Sequence, residues 1–153
     1  MNTVAYEDEL ARSGTILFTV KGISMLPLFR TSTDAIFVVK QPLEELNNLD
    51  IVLFMRPGLD GTEYVLHRIV DRTPDGNYII AGDNCIGVDI VEPSAILGVV
   101  KSAKRGNKEI PLQGFKYSLY KNLWCRPYKF RSFVLRTKSR AKSIAKRIVR
   151  RRH

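Results

Sequence analysis

What most constrains the fold of this chain is a series of six short segments rich in β-branched and aromatic residues, with turn chemistry between them and almost no helix. They are Thr15–Lys21, Ala35–Lys40, Asp50–Arg56, Tyr64–Asp71, Asn77–Ala81 and Ile96–Lys104. Each has the length of a strand, and its residue types suit a pleated, half-buried surface. Pro57-Gly58 with Asp60-Gly61, then Pro74-Asp75-Gly76-Asn77, mark two hairpin-like breaks. This spacing predicts a mainly β fold, a coiled antiparallel sheet. Ahead of it, Thr3 to Arg12 reads as a short helix. Glu7, Asp8 and Glu9 favour its first half through the helix dipole, and Gly14 stops it.

At Ile110-Pro111 the character changes, so residues 1–112 read as one β-rich domain and 113–153 as a helical, basic tail. The formal net charge of +10 belongs to that tail. Residues 1–114 hold 11 Lys/Arg against 15 Asp/Glu, whereas residues 115–153 hold 14 Lys/Arg and no acid. An anionic partner is therefore to be sought at the tail. Residues 115–135 interleave bases with seven of the fourteen aromatics. From Arg136 on, Ala141, Ile144, Ala145 and Ile148 follow i, i+3, i+4, i+7 spacing with Lys and Arg between them, the pattern of a basic amphipathic helix.

Two cysteines, Cys85 and Cys125, form no disulfide framework and fit a reducing compartment. The N-terminus is acidic and lacks the apolar stretch of a secretory signal. No apolar run approaches the roughly 20 residues that span a bilayer. The expected location is the cytoplasm, with a peripheral position at the inner membrane face.

Three places hold residues fit for chemistry. In Gly22-Ile23-Ser24-Met25-Leu26-Pro27, a strand ends in a glycine, a serine and a stiffening proline, so Ser24 sits at a strand end or in the turn beyond it. A serine so placed also reads as a turn residue bonded to its own backbone. His67 shares one strand face with Val65 and Ile69. Alone it also reads as a half-buried histidine bonded to a carbonyl. It is, however, the only imidazole before the terminal His153. A serine hydroxyl needs an adjacent base, and His67 has the side chain whose ordinary pKa suits that task near neutrality. In Ala81-Gly82-Asp83-Asn84-Cys85-Ile86-Gly87-Val88-Asp89, either Asp83 or Asp89 fits the part of orienting the imidazole. Asp83 also fits an Asx-type turn.

In order and content these boxes resemble the signal peptidase and LexA-type serine protease superfamily. Gly22 to Pro27 looks like its nucleophile box and Asp50-Ile51-Val52-Leu53-Phe54 like the strand box that follows. His67-Arg68-Ile69-Val70 looks like the general-base box, and Gly82-Asp83-Asn84 with Asp89 like the last. A histidine at position 67, rather than a lysine, is similar to the branch found in the endoplasmic reticulum, archaea and some spore-forming bacteria. The resemblance spans roughly Thr15 to Lys101. It implies a coiled or partly open β-barrel of LexA/signal-peptidase type, with Ser24 as nucleophile and His67 as base. It further implies cleavage of peptide bonds after small side chains in a peptide or protein precursor.

The substrate strand is expected beside Gly22, Met25 and Pro27, and the chemistry requires no metal or cofactor. Against the family pattern, no N-terminal transmembrane anchor is expected, Thr33 and Leu49 stand where glycine often precedes an aspartate, and Gly22 stands where some members have a hydroxyl-bearing residue. The tail has three readings. It binds an anionic membrane surface through Trp124, Arg147, Arg150 and Arg151; it packs as a helical hairpin on the core; or it binds nucleic acid, which is the weaker fit. As alternatives to the peptidase stand a non-catalytic peptide-binding module and a nucleic-acid-binding regulator. The latter lacks a helix-turn-helix before the strands.

Overall fold

The computed structural model describes residues 6–59 and 61–150, with side chains as far as Arg147. Of the short helix expected over 3–12, the described part is α1 (Tyr6–Ser13), with its acids in the first turn and Leu10 buried. Gly14 follows at φ +72 and donates its N–H to Leu10 O at 2.9 Å, which closes the helix in the way glycine does.

The strands are β1 (Thr15–Thr19), β2 (Asp34–Val39), β3 (Ile51–Gly58), β4 (Gly61–Arg72), β5 (Tyr78–Ala81), β6 (Asp89–Val91), β7 (Ile96–Arg105) and β8 (Lys108–Glu109). All pair antiparallel, in the order β1-β2-β7-β3-β4-β5-β6, with β8 added to β7. The path does not close, so β1 and β6 are its ends. All six expected strands are present. β6 and β8, three and two residues long, were not legible because neither carries an apolar run. β1 also stops at Thr19, two residues short of the predicted end.

Burial falls into two clusters. One gathers Leu10, Ile16, Phe18, Met25, Phe29, Ile36, Val38, Leu53 and Leu66; the other gathers Val52, Phe54, Val65, Ile69, Tyr78 and Ile80. Successive residues of β3 serve different clusters, as the period-2 pleat requires, so β3 and β4 are buried on both faces. Truncating a side chain such as Phe54 to alanine there costs about 3–5 kcal/mol. Burial on both faces explains why two neighbours on β4 meet different surroundings. His67 stands opposite Val52 and has Phe54 beside it, ring centroids 6.1 Å apart. Arg68 stands opposite Ile51 and Ala81.

Leu49 has φ +77, a left-handed conformation that costs a non-glycine residue about 1–2 kcal/mol. The chain pairs on both sides of it hold it there: its N–H donates to Ile69 O at 2.8 Å, and its carbonyl accepts from Arg68 at 2.7 Å.

After β8, α2 (Phe115–Tyr120) runs into a wide helical turn over Lys121–Cys125, and α3 (Tyr128–Arg150) follows. Pro127 sits just before α3 and accepts the N–H of Arg131 at 2.9 Å. The tail is thus helical, as expected. It is not independent of the sheet, because Tyr117, Cys125 and Arg131 are buried. Among the described residues no helix is long and apolar enough to cross a membrane.

Candidate active site

Ser24 lies in the turn after β1. Gly22, at φ +76, lets the chain leave the strand, and Thr31 Oγ1 donates to its carbonyl. Leu26 N–H bonds Ile23 O at 3.2 Å and Phe29 N–H bonds Met25 O at 3.0 Å, which tightens the turn. Met25 and Phe29 are fully buried in the first cluster and anchor it. Ile23 on the other side is exposed, so the serine stands half-exposed between an anchored and a solvated neighbour.

The segment after β5 is stapled to this turn. Asn84 donates its backbone N–H to Ser24 O at 2.8 Å and its amide Nδ2 to Ile23 O at 3.1 Å. Gly82 is where serine turn and imidazole meet. A methyl group placed on it would lie 2.7 Å from Ser24 O, 2.7 Å from Cys85 Sγ and 3.0 Å from His67 Nε2. Only a residue without a side chain fits there. Nε2 therefore faces the serine turn, while Nδ1 faces the other way.

On that other side, Asp89 Oδ2 lies 3.5 Å from His67 Nδ1, within ion-pair range but longer than a hydrogen bond. Nδ1 is buried and makes no hydrogen bond among the described residues. Arg56 holds the second oxygen of Asp89 at 2.9 Å and Glu63 at 2.9 Å. Burial pushes the His67 pKa below its ordinary value; the Asp89 charge opposes this and the Arg56 charge adds to it. The imidazole is therefore neutral near neutral pH, the form that can accept a proton.

Ser24, His67 and Asp89 come from three separated segments and line one cleft of about 970 Å³. Its walls also include Gly22, Asn84 and Cys85, and the exposed apolar side chains Ile23, Leu59, Ile86 and Val88 lie along it. Among the described residues Ser24 N–H makes no hydrogen bond to a backbone oxygen, so it is free to donate.

Asp83 belongs to a different construction. Both its oxygens are taken, by Arg68 Nε at 2.8 Å and Nη2 at 2.7 Å, and by Tyr120 Oη at 2.8 Å. It is fully buried and does not line the cleft. Of the two carboxylates left open by the sequence, the one beside the imidazole is Asp89. Of the expected substrate-side residues only Gly22 lines the cleft. Met25 faces the core because the turn needs an anchor, and Pro27 is exposed away from the cleft.

Trp124 is likewise committed, its Nε1 donating to Asp83 O at 3.0 Å. Arg131 donates to Gly82 O at 3.2 Å and Cys125 O at 3.3 Å. The indole expected at a membrane surface thus serves the site loop instead. Arg147 is exposed on α3; the Arg150 side chain and Arg151 lie outside the described residues. Among the described residues no group of three His, Cys, Asp or Glu is placed to hold a metal ion.

Sequence reading missed Arg56, Tyr120 and Arg131, and it gave Arg68 and Asn84 only as members of boxes, with no role of their own. A signal existed for Arg68, since an arginine inside a strand buried on both faces demands a buried carboxylate. No protein-family model matches the chain, and comparison with curated proteins and with solved structures returned no match.

Proposed function

We propose that the chain is a serine endopeptidase of signal-peptidase type that cleaves a peptide or protein precursor. The observation that carries this reading is the convergence of Ser24, His67 Nε2 and Asp89 on one cleft with a neutral imidazole. Ser24 Oγ attacks the scissile carbonyl carbon as its proton passes to His67 Nε2. The C–O bond forms and the carbonyl oxygen takes the negative charge, with Ser24 N–H as a donor to it. Collapse breaks the C–N bond, and His67 returns the proton to the leaving amine. Water then repeats the sequence on the acyl-serine. Asp89 favours the tautomer with the proton on Nδ1, which leaves Nε2 free to accept.

β1 ends the sheet immediately before the serine turn, so an extended substrate can add along that side. Apolar side chains along the cleft suit an apolar peptide. A fluorophosphonate probe tests the reading. Labelling at Ser24 in the parent, lost in Ser24→Ala and in His67→Ala, supports a peptidase. One observation favours a non-catalytic peptide-binding module instead: His67 Nδ1 makes no hydrogen bond among the described residues, Asp89 Oδ2 standing 3.5 Å away, so the imidazole is not locked as a working triad would lock it. Peptide binding to the parent without labelling would select that reading.

A further inference from the structure

α3 has two faces with different fates. Toward the sheet it sends Arg131, which is fully buried, and Leu135 and Tyr128, which are half-buried. At 3.6 residues per turn, Phe130, Phe133, Thr137, Ala141 and Ile144 make a separate stripe, turned away from Arg131. That stripe is not spent on the body: Phe130 is 62% exposed, Phe133 66% and Ile144 59%. Arg136, Arg140 and Arg147 flank it on one side, whereas Lys138 and Lys142 continue the face that carries Arg131 and Leu135. No acid occurs anywhere from 115 to 153. Every side chain from Arg136 to Arg147 is exposed, so this part of the helix has no protein surface to lie against among the described residues.

We infer that α3 is a docking element for an anionic bilayer surface. The stripe enters the headgroup boundary, and the flanking row of arginines meets acidic lipid. Charge complementarity selects this occupant over a protein groove, and the bulky apolar stripe selects it over nucleic acid, whose phosphates need only the bases. Because Arg131, at the root of α3, bonds Gly82 beside His67, docking would hold the cleft at the membrane face. The inference does not require that the cleft be catalytic.

The test is flotation of the full-length chain with vesicles of phosphatidylcholine alone or with about 30% phosphatidylserine. Binding at least about tenfold tighter to the anionic vesicles is expected, weakening as salt rises to about 1 M. Phe130→Ser/Phe133→Ser/Ile144→Ser leaves the charge unchanged and should weaken anionic-vesicle binding at least about tenfold. Its unfolding midpoint should match the parent's, since all three side chains are exposed. Equal recovery on both lipids, or undiminished binding by the triple variant, would overturn the inference. So would tight binding to a DNA duplex with none to vesicles. Probe labelling at Ser24 reads the peptidase proposal separately.

Discussion

Arg68 and Asp83 close on each other through two parallel hydrogen bonds, Nε to Oδ1 at 2.8 Å and Nη2 to Oδ2 at 2.7 Å, with both side chains fully buried. Burial alone would raise the Asp83 pKa, but the bonds and charge of Arg68, with Tyr120 and Arg131, hold it below its ordinary value. Removing one partner leaves the other charge buried and alone. Asp83→Ala should therefore cost about 3–5 kcal/mol in urea unfolding. Arg68→Met with Asp83→Leu should cost less than the two single changes added together. Additive costs would mean that the two groups do not act as a pair. The sign with pH follows from the lowered folded pKa. The contribution is fully present above the ordinary carboxylate range and is lost as pH falls through the folded value.

His67 predicts a pH profile for the probe reaction. Its folded pKa lies below 6.5, because burial outweighs the attraction of Asp89. The acid limb of reactivity should therefore be centred below pH 6.5. His67→Ala should lose roughly 10²–10⁴-fold. Asp89→Asn removes the charge that favours the imidazolium, so its acid limb should move further down and its plateau should drop. A parent limb centred above pH 7 would contradict the buried, neutral imidazole.

The legible part of this protein was whatever repeats or is scarce. Strand periodicity gave the six longer strands, and the scarcity of histidine singled out His67. Asp89 and Asp83 were not separable, because their roles rest on which arginine reaches each, Arg56 from β3 or Arg68 from β4. Met25 was misplaced because a turn's spacing does not say which neighbour of the serine anchors in the core. The composition of the tail fits a membrane-facing, a core-packed and a nucleic-acid-binding segment alike. One face of α3 docks through Arg131, whereas Phe130 and Phe133 stay outside, and composition cannot divide a helix that way. Leu49 stands where the resembled family often has glycine, and its φ of +77 is what glycine adopts freely.

Gly82 predicts a reactivity loss larger than its stability loss. An added methyl meets a backbone oxygen of the serine turn and the Nε2 edge of His67, so the turn must move. Overpacking of this kind costs about 1–3 kcal/mol. The geometry it disturbs is the one that brings serine and base together, so Gly82→Ala should lose most Ser24 labelling while still unfolding cooperatively. Parent-like labelling would show that the close approach at Gly82 has no part in the reaction.

Two truncations separate the parts of the tail. Ending the chain after Thr137 removes only exposed side chains among the described residues, so stability should change by no more than about 0.5 kcal/mol and labelling should persist. Ending it after Gly114 is different. It strips Tyr120 and Trp124 from Asp83 and Arg131 from Gly82, and it uncovers the Arg68 cluster where Tyr117 packs. Three hydrogen bonds to the site loop are lost together with the burial of Cys125. That chain should fail to fold or should unfold several kcal/mol more easily, at roughly 1–3 kcal/mol per buried group left unpaired. Thermal unfolding of the two fragments decides the matter. Equal stability for both would return residues 113–153 to the status of a separate appendage and would remove the tail's claim to hold the site loop in place.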